Sequence, residues 1–419
     1  MKLKRQPEDF RVEELPLVEG GDRGRFGFYR LTKRGIGTME AIEAIRRRWN
    51  LSGQQLSYGG LKDRHAVTIQ YLTILGGPDQ GLREGAIDLE PLGRLSHPYG
   101  PNAFRGNRFT VVLRDLTREK AGAARIALAE LPNDGLPNYF DDQRFGSVGF
   151  DGDFIARAWL AGDHEKALRL AIAEPTASDR AEAKHEKSIL RETWGNWAEA
   201  KARLPRSHSR SLVTYLVDHP TDFRGVFARL RRELRSIYFS AFQSHLWNLT
   251  LGRLIERTTR ENQRIPVEFK VATLPIHRGL EPDQAAELSA ARLPLPATRT
   301  PLPPEGPIRE AALEVVAGFG LAWEDLRVKH LKDIFFSKGV RPALFFPEGL
   351  TQETSPDELY PGRFKIALGF DLPKGAYATL VVKRVTVAAG IDSSDESENE
   401  PEEAPEDSMQ HSPSEPGSE

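Results

Sequence analysis

Near its start the chain alternates in type: "DFRVEELP" sets Phe10, Val12 and Glu14 against Arg11 and Glu13, and "GRFGFYRLT" follows a glycine-rich turn. Period-two alternation on either side of a turn predicts a pair of strands. The period then changes. "GTMEAIEAIRRRW" brings Met39, Ile42, Ile45 and Trp49 close to helical spacing. Thr38 is placed as N-cap, and Arg46, Arg47 and Arg48 stand at the end where a helix dipole favours cations. "AVTIQYLTIL" (66–75) and "NRFTVVLRDL" (107–116) are β-branched and apolar with imperfect alternation, the texture of strands covered on one or both faces.

From about Asp151 the texture turns helical and rich in Ala, Glu and Arg, and Phe239, Phe242, Leu246 and Leu249 later form one stripe. "LPLPATRTPLPPEGP" (293–307) holds six prolines in fifteen residues and reads as a loop. Strand texture returns in "RFKIALGFDL", where Phe364, Ile366, Leu368, Phe370 and Leu372 share one face at period two. This order predicts an α+β chain: a sheet domain (1–151 and 340–390), a helical insertion (152–339) and a tail (391–419).

Composition changes the picture in three ways. At 419 residues, 39% apolar and 28% charged, the chain is long enough for two domains and a disordered segment. It has no cysteine, which excludes disulfides, thiolate nucleophiles and Cys-based zinc sites. The net charge of -2 hides an asymmetry. Residues 391–419 carry 11 of the 60 acidic residues and no Lys or Arg, leaving 58 basic against 49 acidic residues, a net +9, in 1–390. Such a tail buries too little apolar surface to offset its ordering entropy and is expected to be disordered, a solvating terminus or a weak competitor for a polyanion. No apolar run approaches the roughly 18 residues that span a bilayer, and the start lacks a secretory h-region, so a cytoplasmic protein is expected.

The first candidate chemistry lies in "YGGLKDRHAVTIQY" (58–71). Gly59 and Gly60 permit unusual backbone and close approach, ahead of a strand that would hold the turn rigid. Asp63 beside Lys62 and Arg64 would keep a low pKa and stay ionised as nucleophile or base, while the cations, with His65 next to them, attract phosphate. A merely solvated charged turn is the bland reading. The second cluster, "LPNDGLPNYFDDQRFG" (131–146), combines Asn138, Tyr139, Phe140, Gln143, Arg144 and Phe145: flat rings with amide and guanidinium donors, which suits a nucleobase. Aromatics packed into a core explain it equally well. A third stretch, "FRGVFARLRRELR", reads as a basic helix whose Arg231 and Arg232, with Arg224, Arg229 and Arg235, track phosphates or simply solubilise.

"GGLKDRHAVTIQ", "GNRFTVVLRD", "PNYFDDQRFG" and "SAFQSHLWN", in this order, with "PEDFRVEE" at the start and "GFDLPKGAYATLVVKRV" near the end, closely resemble the motifs of TruD-type pseudouridine synthases. The resemblance implies a pseudouridine synthase catalytic domain with a mixed, largely antiparallel sheet, interrupted by an α-rich TRUD domain. It implies Asp63 as the catalytic aspartate, Lys62 as the neighbouring cation, Phe140 as the ring against the target uracil and Asn138 as a positioning residue, with Lys4 and Phe10 near the active site. Asp141 and Asp142 depart from the small or mixed residues expected after the Phe. The implied reaction breaks the N1–C1′ bond of a uridine in RNA, turns the uracil and rejoins it through C5; the implied substrate is uridine 13 in the D arm of a tRNA.

Nothing is consumed in such a reaction, and no cofactor is expected. "GGLKDR" lacks Walker spacing, and "GFGLAW" has Trp323 where a dinucleotide fingerprint needs its third glycine. The ten His show no metal-binding spacing, so no metal is expected. Without coiled-coil heptads a monomer is expected. Two rivals remain: a catalytically silent RNA-binding protein or tRNA folding helper of the same fold, and a carboxylate glycosidase or nuclease, which would need a second carboxylate such as Asp141 or Asp142.

Overall fold

The computed structural model describes residues 1–149, 151–177 and 179–390. The expected disordered tail at 391–419 lies outside the described residues. The described chain forms two compact units, Met1–Gly135 with 345–390, and Leu136–Leu344.

The first unit is built on a mixed sheet. Its strands are β1 (Phe10–Pro16), β2 (Phe26–Arg34), β3 (Leu56–Tyr58), β4 (Val67–Leu75), β5 (Leu82–Glu84), β6 (Ile87–Leu95), β7 (Phe104–Leu116), Glu348–Pro356 and Phe364–Pro373. Across the sheet the order runs Glu348–Pro356, Phe364–Pro373, β7, β1, β4, β2, β6, β5, with β3 also on β4. Only the β1–β4 pairing is parallel among these strands. The expected hairpin between β1 and β2 therefore does not form. β4, an apolar β-branched run buried at seven of nine positions, takes the central place between them, as a strand covered on both faces should. In Phe364–Pro373 the alternation holds: Ile366, Leu368, Phe370 and Leu372 are all buried.

Helix α1 (Thr38–Trp49) packs Ala41, Ile42 and Ile45 with Tyr29, Leu31, Leu72 and Leu89 in one apolar cluster. Met39, expected on that stripe, is 49% exposed. Nor is Thr38 the N-cap. Gly37 takes that position, and the Glu40 carboxylate accepts its N–H at 3.1 Å, which releases the Thr38 hydroxyl for the loop described below.

A buried charge network crosses the sheet. The Arg114 guanidinium donates to Asp9 at 2.9 and 3.0 Å, to Asp357 at 2.9 Å and to Glu358 at 3.0 Å, and Arg114, Asp9 and Asp357 are nearly inaccessible to water. One cation thereby holds the start of β1, the interior of β7 and the turn after Glu348–Pro356 together.

The second unit surrounds the long helix Arg232–Thr258, whose Phe239, Phe242 and Leu246 are fully buried while Leu249 is half-buried. The basic stretch is not one helix. Phe223–Arg229 ends, the chain turns at Leu230 and Arg231, and a new helix starts at Arg232. Arg235 turns inward and pairs with both oxygens of Asp333 at 2.9 and 2.8 Å. Arg229 lies over the Tyr215 ring at 3.7 Å, whereas Arg231 and Arg232 are exposed. A hairpin, Arg264–Phe269 with Ala272–His277, was not foreseen. The proline-rich stretch opens in a short strand, Arg292–Pro294, paired with Val340–Pro342, and ends as Pro307 starts the helix Pro307–Gly318. A proline is tolerated there because the first helical N–H needs no intrahelical partner.

Replacing Arg114 by Met leaves two buried carboxylates without their cation. Urea unfolding of the Arg114→Met variant is expected to show a loss of about 3–5 kcal/mol; a loss below about 1 kcal/mol would mean that the network contributes little.

Candidate active site

In the first unit, the turn between β3 and β4 carries Asp63. Its side chain is only 13% exposed and accepts two hydrogen bonds: Lys4 Nζ donates to Oδ2 at 2.8 Å, and the His65 backbone N–H donates to Oδ1 at 3.0 Å. Burial pushes this carboxyl up, but the Lys4 ammonium and its hydrogen bond, then the His65 N–H and the charge of Lys33, more than offset that and hold it below the ordinary carboxylate value. Asp63 is thus an anion shielded from bulk water.

The cations responsible are not those next to it in sequence. Lys62 points to the other side of the chain, where it pairs with buried Glu14 at 3.0 Å, donates to Asn107 Oδ1 at 2.7 Å and lies 5.1 Å from the Phe104 ring. Arg64 pairs with Glu40. Adjacency in sequence does not make an ion pair here, since both neighbouring cations are taken by other carboxylates. Lys4 sits in the left-handed region at φ 47° and lies 4.8 Å from the Phe10 ring. Phe10 is buried edge-on against Phe109. Its ring touches the ammonium that pairs with Asp63.

The loop backbone is pinned from below. Lys33 Nζ donates to the carbonyls of Asp63 at 2.6 Å, Lys62 at 3.2 Å and Ile36 at 2.7 Å. The Thr38 hydroxyl accepts from Lys62 N–H at 2.9 Å and donates to Gln70 at 2.9 Å. Neither Gly59 nor Gly60 has positive φ. Gly59 is needed for close approach instead, since a Cβ there would come within 2.7 Å of the Phe104 ring, while Gly60 has open space.

The second unit brings Asn138, Phe140 and Arg144 together. Asn138 is buried; its amide donates to Pro342 O at 3.1 Å, while its side-chain and backbone oxygens accept from Arg341 at 2.5 and 2.9 Å. The Asn248 side chain binds both the N–H and the carbonyl of Phe140, each at 2.8 Å. The half-buried Phe140 ring stands edge-on to Trp247, with the Arg341 guanidinium 4.4 Å and that of Arg144 5.6 Å from its centre. The ring is thus held by its neighbours on several sides. Tyr139 and Phe145 are fully buried, so for them the core reading holds. Asp141 is buried, and Asp142 accepts from the Lys270 backbone N–H at 2.8 Å. Gln143 is exposed, and Arg144 Nε donates to Ser244 at 3.3 Å.

Sequence reasoning missed Lys33, Glu14, Thr38, Asn107, Arg341 and Asn248 as parts of these clusters. One signal was present for Lys33: it falls on the inward parity of β2 with Tyr29 and Leu31, where an apolar residue belongs. Asn248 lay inside the quoted "SAFQSHLWN". Nothing local marked Glu14 or Arg341, whose partners are distant in sequence. Among the described residues no three His, Asp or Glu side chains gather to hold a metal ion, and no helix is long and apolar enough to cross a membrane.

The family model described as tRNA pseudouridine synthase D (TruD) matches residues 1–385. A relative from Methanococcus maripaludis, named as a probable tRNA pseudouridine synthase D, is 31% identical over 399 residues, covering 92% of this chain and 99% of the relative. The tRNA pseudouridine synthase D of Aquifex aeolicus is 25% identical over 92% of this chain and 98% of its own. A crystal structure named as a TruD of Methanosarcina mazei superposes with a TM-score of 0.72 at 27% identity, over 93% of each chain. The chain belongs to the TruD family of tRNA pseudouridine synthases.

Proposed function

We propose that this protein isomerises a uridine of tRNA to pseudouridine, with uridine 13 as the target and Asp63 as the catalytic residue. The observation that carries the reading is a largely buried aspartate whose ion pair with Lys4 holds its pKa low. Breaking the N1–C1′ bond leaves positive character at C1′, and a fixed carboxylate facing the ribose stabilises it. The detached uracil turns, C5 bonds to C1′, the C5 proton departs and N1 takes one up, so the atoms balance without a cofactor. A stacked base is out of reach, so the uridine must be everted, and Phe140 replaces the lost stacking, worth about 1–3 kcal/mol. Asn138 holds that segment through Arg341 and Pro342.

Lys62, turned to Glu14 and Asn107, supports the loop. Arg64, His65, Gln143, Arg144, Arg231 and Arg232 are assigned to RNA contact, and the protein is taken to work as a cytoplasmic monomer. The insertion domain is taken to set which tRNA is chosen. Neither Asp141, which is buried, nor Asp142, which is held by a backbone N–H, is placed as the second carboxylate a glycosidase needs.

RNA carrying 5-tritiated uridine tests the reaction. The protein is expected to release tritium and leave no abasic sites; Asp63→Asn is expected to release it at below about one-thousandth of the parent rate with tRNA binding kept. Tritium release by the variant at the parent rate would remove Asp63 from its role. A parent that binds tRNA and releases none would be the silent binder.

The pH dependence follows from Lys4. The reactive carboxylate exists above the pKa of Asp63 and is lost as pH falls through it, and Lys4 holds that pKa low. The acid limb of kcat for Lys4→Met is therefore expected at higher pH than that of the parent; an unmoved limb would contradict the pairing. For RNA contact, Arg231→Ala with Arg232→Ala is expected to reduce the slope of log affinity against log salt by about 1 to 2. An unchanged slope would point to another face.

A further inference from the structure

Lys33 occupies a place where the local pattern calls for an apolar residue. On β2 it shares a face with Tyr29 and Leu31, which pack beneath α1, and its strand neighbours are Thr68 on β4 and Ile87 on β6. It is fully buried. Burying an ammonium is costly unless every bond it can make is supplied. Three are supplied, and all three acceptors are backbone carbonyls: Asp63, Lys62 and Ile36. The shortest, at 2.6 Å, goes to the carbonyl of Asp63 itself.

The bond to Ile36 closes the β2–α1 turn and accounts for one donor of the ammonium. Two of its three bonds reach instead across about thirty residues of sequence to the peptide that carries the reactive carboxylate. An ordinary turn fixes its backbone with its own N–H groups. Here the two carbonyls are held by a charge, and the Lys62 N–H by the Thr38 hydroxyl. The strand, which cannot shift without breaking its ladders to β4 and β6, thereby fixes the loop's position.

Resting on the reading of Asp63 given above, we propose that Lys33 is a positioning residue for the isomerisation: its buried ammonium clamps the Lys62–Asp63 peptide, so that the Asp63 carboxylate is presented in one orientation from a rigid strand. Lys33 touches no substrate. A misplacement of about 1 Å at the reacting group costs about 100-fold in rate, which sets the expected size of the effect. The same charge also favours the ionised form of Asp63, so its removal carries a second signature in pH.

The test uses the full chain with Lys33→Gln, which keeps a donor but not the charge, and Lys33→Arg, which keeps the charge. For Lys33→Gln, kcat on tRNA is expected to fall about 100-fold with KM nearly unchanged, and the acid limb of kcat to move to higher pH. Lys33→Arg is expected to lose rate through altered bond geometry yet keep the acid limb in place. An independent readout is the carboxyl carbon signal of Asp63 in protein labelled with carbon-13 aspartate, assigned by its absence in Asp63→Asn. In folded Lys33→Gln it should titrate at higher pH than in the parent.

If the parent releases tritium and Lys33→Gln keeps its kcat, with the Asp63 signal titrating as in the parent, the clamp is overturned and the enzymatic reading stands. If the parent is inactive, that reading fails, and the carbon-13 titration still decides whether Lys33 governs the carboxylate. Should Lys33→Gln unfold, Lys33→Arg decides: parental kcat with the charge kept but the bonding geometry changed would overturn the clamp.

Discussion

A carboxylate withdrawn from water stays charged only beside a cation that cannot leave. That requirement organises the first unit. Asp63 is shielded, its two oxygens are engaged by Lys4 and by the His65 N–H, and Lys4 is held by the Phe10 ring and an uncommon left-handed backbone. A second ammonium, that of the buried Lys33, fixes the peptide that carries the carboxylate. The cost of desolvating Asp63 is offset by these fixed charges, so the carboxylate stays ionised although shielded.

The sheet serves this arrangement. β1 begins at Phe10, a few residues after Lys4, and runs parallel to β4, which follows the Asp63 turn, so the two segments of the ion pair enter neighbouring strands at the same end. Glu14 on β1 reaches the amide of Tyr71 on β4, the Tyr99 hydroxyl and Lys62, which ties the two strands together at a buried point. In the second unit the same economy of motion is reached without charge on the key residue. Phe140 has both backbone groups bound by one buried Asn248 side chain, and its ring is braced by Trp247 and Arg341.

The strands and the long helix were legible because their apolar residues recur at period two or 3.6, and those periods survive in Phe364–Pro373 and Arg232–Thr258. Strand order was not: β4 inserts between β1 and β2, a choice made by tertiary burial that no local pattern records. Of the candidate site, Asp63 was legible from its motif, but its partners were assigned by adjacency to Lys62 and Arg64. Those side chains pair elsewhere, and the partners come instead from the N-terminal segment, Lys4, and from β2, Lys33. The basic stretch at 223–235 misled for a related reason. Charge counts do not show which arginine a helix turns inward, and Arg235 goes to Asp333.

The central claim is that the Asp63 carboxylate acts on the ribose of an everted uridine. A crystal structure of the protein with a tRNA bearing 5-fluorouridine at the target position tests it most directly. A carboxylate oxygen of Asp63 is expected within about 3.5 Å of C1′ or C2′ of that nucleotide. A sugar bound elsewhere, with Asp63 still closed onto Lys4 and facing no substrate atom, would contradict it.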